Sequence, residues 1–227
     1  MTEARLNLVS PTRRVPASFD GMSLAEAGRE WFRAGWEIHP ATPSGVKIET
    51  AFAQPPRSEQ EVMAVLQRME MQTPNMRLGV VLPDDVIVIR VRSGRIERGE
   101  GVFRQTQTTD WRDSFAKLRS AFDPDTVLAT CPCHRFCRGD DVHLWLTIPD
   151  WAERPDYIGM GGPEGTWVLL GEAFVHVPPS GRGTENTRAN WMHPPSSREW
   201  LIPPCPDDLW TAISSRAADT AADDCGM

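Results

Sequence analysis

Lysine is nearly absent from this 227-residue chain: only Lys47 and Lys117 occur, against 22 arginines. Such a bias follows first from a GC-rich coding sequence, so the arginine excess by itself carries no binding role. Tyrosine is scarcer still, with one residue against nine tryptophans. Long apolar runs are missing too; none approaches the roughly 18–20 residues that span a bilayer. The N-terminus, MTEARLNLVSPTRR, has no apolar segment of the kind a secretory signal needs. The expectation is a cytoplasmic protein, without a membrane partner, whose cysteines stay reduced. Five cysteines, an odd number, also argue against a complete disulfide framework. Positive charge is the minority: 24 basic against 31 acidic side chains give −7. That balance disfavours indiscriminate coating of nucleic acid but leaves room for a local basic groove. Two catalytic signatures are missing as well. There is no GxSxG nucleophile elbow, and the glycine-rich GMGGPEG at 159–165 lacks the Lys-Ser/Thr ending of a phosphate loop.

What is present suits a globular domain: 40% of residues are hydrophobic and 24% charged, in a chain long enough to bury a core. Residues 1–20 are polar and read as an N-terminal extension, 21–205 as the domain, and 206–227 as a C-terminal helix with an acidic tail. Ser23 is an N-cap for a helix with Leu24, Ala27, Trp31 and Ala34 near one face. A short strand WEIHP follows, closed by the turn TPSG. Ser58 opens a second helix, with Ser58 and Glu61 spaced as a capping box. Two apolar runs, 78–82 and 86–91, flank Pro83-Asp84-Asp85 and predict a hairpin. A third helix is expected over 113–122, then strands at HLWLTI, WVLL and AFVHV. Helix, strand, helix, hairpin, helix and further strands spell α+β rather than a doubly wound parallel fold.

The order of short motifs carries a resemblance. Gly35-Trp36-Glu37-Ile38-His39-Pro40 is followed by Lys47 and Ala51-Phe52. Pro74-Asn75-Met76-Arg77-Leu78-Gly79-Val80 precedes the expected hairpin. Thr130 and His143 bracket a cysteine-bearing segment, and Phe174-Val175-His176-Val177-Pro178-Pro179-Ser180 leads to Gly183 and Trp191. Over residues 21–195 this resembles the bifunctional DNA primase/polymerase domain of plasmids, phages and integrated elements, in the archaeo-eukaryotic primase superfamily. The resemblance implies a primase-polymerase-like fold with a catalytic-hairpin β-sheet flanked by helices. It implies three acids holding two divalent metals, Mg²⁺ or Mn²⁺, which activate the 3′-hydroxyl and stabilise the triphosphate.

Those acids are not where the family places them. Two should stand at i and i+2 on the second hairpin strand, where a period of two puts both on one face. Here the positions hold Arg90 and Arg92. The third, on the strand leading to Pro-Pro-Ser, is Trp167, or Val168 with a shifted gap. Among other acids, Asp84 and Asp85 lie at the wrong end of the strand; Asp140, Asp141 and Glu172 could approach, but nothing in the sequence fixes their direction. Paired arginines on one strand face can bind phosphate oxygens without a metal, or form salt bridges. His143 matches the family histidine that contacts nucleotide phosphate, Lys47 stands in the family's lysine position, and Trp167 could stack a base or pack in the core.

Cys131, Cys133 and Cys137, with His134 among them and His143 nearby, could supply four tetrahedral zinc ligands, although Cys-x-Cys-x3-Cys is not a strong zinc signature. Three functions stay open. The first is an accessory factor of replication that binds a nucleotide or single-stranded DNA or RNA, with any helicase or replication activity supplied by a partner. The second is an active nucleotidyltransferase using other acids; the third is a protein-protein module. Residues 86–119 hold eight basic and four acidic side chains, so positive charge gathers around the expected hairpin.

Overall fold

The computed structural model describes residues 12–52, 54–91, 94–98, 105–123, 127–135, 141–153, 159–162, 166–180 and 189–224, with 94–98, 105–109, 159–161 and 216–224 described through the main chain. In chain order the elements are β1 (Arg14–Pro16), α1 (Leu24–Arg33), β2 (Glu37–Ala41), a 3-10 turn (Glu49–Ala51), α2 (Glu59–Gln72), β3 (Arg77–Val81), β4 (Val86–Val91), β5 (Gly94–Arg98) and β6 (Gln105–Thr109). There follow α3 (Trp111–Phe122), α4 (Val127–Thr130), β7 (Cys133–Arg135), β8 (Val142–Thr147), β9 (Gly159–Gly161), β10 (Trp167–Leu169), β11 (Phe174–His176), β12 (Asn190–Trp191), β13 (Glu199–Leu201) and α5 (Asp207–Asp224). The architecture is α+β, as the element order in the sequence suggests.

Local chemistry sets the helix starts. Ser23 Oγ accepts from Glu26 N at 3.2 Å while the Glu26 carboxylate accepts from Ser23 N at 2.7 Å, a complete capping box. The box expected at Ser58 is half made. Ser58 Oγ accepts from Glu61 N at 3.2 Å, but Glu61 turns its carboxylate to the main-chain N–H of Arg57 at 2.9 Å. Asp110 caps α3, which begins two residues before the expected start. A Cβ on Gly28 would come within 2.2 Å of Leu66 Cδ1, so this glycine lets α1 and α2 close upon each other.

The strands form a six-stranded sheet in the order β12-β7-β8-β4-β10-β9, a three-stranded sheet β11-β3-β2, and two ribbons, β1-β13 and β5-β6. The predicted hairpin of runs 78–82 and 86–91 does not form: β3 belongs to the three-stranded sheet and β4 to the six-stranded one. The hairpin expected from these runs is therefore not formed by β3 and β4. The reason is burial. Leu78, Val80, Leu82, Val86 and Val88 all enter one core, so the two runs meet through side chains across it rather than through main-chain bonds. The chain crosses back at Leu170–Ala173, and the two crossings are clasped: Leu82 N donates to Ala173 O at 2.9 Å and Glu172 N to Leu82 O at 2.8 Å.

The six-stranded sheet separates two cores. One lies between it, the three-stranded sheet, α1 and α2; the other lies under α3, α4 and α5, with Leu209, Trp210 and Ile213 of α5 fully or nearly fully buried. Residues 14–16, inside the stretch that reads as an extension, form β1 against β13, and Val15 is buried in the first core. No helix among the described residues is long and apolar enough to cross a membrane.

Candidate functional site

Alternation along β4 sends Ile87, Ile89 and Val91 to the second core and Val86 and Val88 to the first. Arg90 shares the face of Val86 and Val88, at the end where that core runs out. Strand register then draws a row across the sheet. Trp191 on β12 is opposite His134, His134 opposite His143, His143 opposite Arg90, and Arg90 opposite Trp167. Cross-strand partners share a face, so three of the residues singled out in the sequence, Arg90, His143 and Trp167, are brought together on three adjacent strands.

Each has a defined environment. Arg90 donates from Nε to Asp141 Oδ2 at 2.8 Å and also from Nη2 to the same oxygen. Its side chain remains 33% exposed while that of Asp141 is 11% exposed. Asp141 is thus the nearby acid that the sequence names without a direction; β8 begins directly after it and aims it at Arg90. His143 is buried, with its ring 4.8 Å from that of His134 in an edge-on contact. Trp167 is 37% exposed, unlike Val168 beside it, which is fully buried. The alternation gives the tryptophan, and not the valine, the open face.

The row runs inward into an aromatic cluster that scattered sequence positions do not suggest. Trp31, Trp36, Trp145, Trp191 and Trp200 form a continuous set of ring contacts with centroids 5.4–6.3 Å apart. Every one of these five indole N–H groups has an acceptor. Trp31, Trp36, Trp191 and Trp200 donate to the carbonyls of Pro178, Arg14, Pro16 and Thr130, and Trp145 donates to His134 Nδ1 at 3.0 Å. That last bond fixes the tautomer, since a nitrogen that accepts carries no proton. Burial, reinforced by the neighbouring His143 and His176, pushes the His134 pKa well below its ordinary value, so the ring is neutral. Burial likewise lowers His176 to about 4, with the Arg77 charge adding to the effect.

The remaining sequence candidates lie elsewhere. Lys47 bridges to Ala41 at the end of β2, in contact with the three-stranded sheet, and pairs with Glu49 at 3.2 Å. Arg92, Cys137 and Asp140 fall outside the described residues. Cys131 and Cys133 pack with the second core, whereas His134 and His143 face the first. Strand alternation at Cys133-His134 therefore directs these thiols and imidazoles to opposite faces, and the mixed zinc set read from the sequence is not assembled among the described residues. No group of three or more His, Cys, Asp or Glu side chains is arranged to hold a metal there. No protein-family model matches the chain, and no curated protein matches it.

Proposed function

We propose that this chain is a primase-polymerase-like protein whose Arg90–His143–Trp167 row binds a nucleotide or single-stranded nucleic acid without a metal, as an accessory factor to replication on a mobile element. The observation that carries this reading is the register of β4 and β10. The family resemblance requires acids from two strands to converge on one point. The residues at two of those positions, Arg90 and Trp167, are cross-strand partners on one partly exposed face. A guanidinium beside an exposed indole suits a phosphate next to a stacked base. Arg90 keeps Nη1 outside its bonds to Asp141.

The test is anisotropy of a fluorescent oligo-dT strand and of a labelled dNTP, in EDTA, over a salt series. Binding should persist without divalent metal and weaken with salt. Trp167→Ala should weaken it by about 1–3 kcal/mol, the range for one stacked base. Absence of binding at low salt, or affinity untouched by Trp167→Ala, overturns the reading. Primer extension that requires Mg²⁺ or Mn²⁺ would replace it with an active polymerase. A second reading, a protein-protein module on a degenerate cleft, is favoured by the Arg90–Asp141 pair, which already satisfies two guanidinium donors; it predicts a folded protein without nucleic-acid affinity.

A further inference from the structure

On the opposite face of the six-stranded sheet, α3 and α4 stand away from β7 and leave a cavity of about 280 Å³. This is close to the lower bound of roughly 300 Å³ for small-molecule pockets. Its walls are apolar and aromatic, with Trp111, Phe115, Leu128, Met192 and Trp200 around it. Arg112, Arg119 and His193 also line it, and two covered nitrogens stand out. Trp111 is 7% exposed, and its Nε1 is buried with no acceptor among the described residues. Arg119 Nε is covered as well, although 41% of the side chain is exposed, and it has no hydrogen-bond acceptor among the described residues. Its nearest carboxylate, Asp123, is 4.0 Å away and accepts instead from the main-chain N–H groups of Val127 and Leu128, at 2.6 and 2.9 Å. The contrast with the satisfied indoles of Trp31, Trp36, Trp145 and Trp191 on the other face is direct. Buried donors without acceptors are costly and uncommon, and the two residues that carry these line the same cavity.

The missing partner is therefore an acceptor, and its surroundings favour a negative one. Arg119 lies over the Phe115 ring at 5.8 Å, and Arg112 over the Trp111 ring at 4.9 Å. Arg135 adds its field nearby, acting on Asp110, the carboxylate that pairs with Arg112. Cys131 and Cys133 complete the wall, and burial raises both thiols, Cys133 to about 12. They stay protonated and unreactive, so a ligand here is held without a covalent bond.

We propose that this cavity binds a small aromatic carboxylate, its ring between Phe115, Met192 and Trp200 and its carboxylate accepting from Trp111 Nε1 and Arg119 Nε. The site is separate from the nucleic-acid face and stands or falls independently of it.

The experiment follows the indole N–H signals of ¹⁵N-tryptophan-labelled full-length protein during titration with 2-naphthoate, and with the uncharged 2-naphthamide as comparison. Trp111→Phe and Trp167→Phe assign the two signals that matter. One saturable shift, that of Trp111, is expected with naphthoate, and at least about tenfold weaker binding with the amide, the effect of losing a charge-assisted hydrogen bond. Arg119→Met should weaken naphthoate similarly while leaving the other indole signals in place, which certifies the fold. The proposal is overturned if the Trp111 signal does not move, if naphthoate and naphthamide bind equally, or if the Trp167 signal moves instead.

Discussion

The two faces of the six-stranded sheet are made by the same strands and hold their cores together by different means. On one, Ile87, Ile89, Leu144, Leu146 and Val168 are fully buried aliphatic side chains. On the other, alternate positions of those strands carry Arg90, Trp145, His143 and Trp167, continued by His134 and Trp191. The aliphatic face needs only volume and burial. The aromatic face must also place each polar atom against a partner, so hydrogen-bond geometry determines it as much as packing does. The difference is one of direction: the polar groups of the second face are already aimed at partners.

That comparison can be broken in order of expected effect. On the aliphatic face, Ile89→Ala should cost about 2–5 kcal/mol in denaturant unfolding, the range for a buried large-to-small change; a cost below about 1 kcal/mol would mean that this core is loose. In the three-stranded sheet that closes the first core, acid should do what truncation does on the aliphatic face. His176 of β11 has a folded pKa near 4 and an unfolded value near 6.5. Below pH 6.5 the unfolded chain takes up a proton that the native ring refuses. Stability is then lost as pH falls from about 6.5 toward 4, by on the order of 3 kcal/mol in full. His176→Gln, which can still donate to Gly45 O, should flatten the melting temperature across that window; an unchanged slope would assign the acid sensitivity to other groups.

Smaller effects sharpen the same contrast. Asp141→Asn should cost about 1–2 kcal/mol, less than a fully buried pair would, because Arg90 is one-third exposed. Replacing both partners, Arg90→Met with Asp141→Leu, should recover most of that loss; recovery would show that the pair confers direction more than stability. Trp31→Phe keeps the ring stack and removes only the donor to Pro178 O, so a loss of about 1 kcal/mol is expected in chemical denaturation.

Much of the fold is legible in the sequence wherever the determining interactions are local. Ser23 and Ser58 mark helix starts because a cap acts on amides three residues away, and the strands at 86–91 and 142–147 show as apolar runs. Pairing is not local. The Pro-Asp-Asp turn looks like a hairpin turn, yet runs buried on both faces carry no alternation that names a partner, and β3 and β4 part into different sheets. The same limit governs the site. Arg90 and His143 could be named from motif order, and their meeting follows from register. Asp141 could be listed but not aimed. Spacing is counted without faces, so the sequence could not show that β7 directs Cys133 and His134 to different cores. Trp111 carries no signal in the sequence at all; only the absence of an acceptor in three dimensions sets it apart.

The clasp at Leu82, Glu172 and Ala173 has a consequence for the order in which the chain assembles. It joins positions about 90 residues apart, and closing so long a loop is a cost met before any contact returns it. Each sheet also borrows from both halves of the chain: β3 waits for β11, and β4 waits for β10. An N-terminal fragment ending before residue 167 would lack a strand in both sheets at once. The molecule is therefore built to fold as one cooperative event late in synthesis, and a truncated chain should show neither sheet protected from hydrogen exchange.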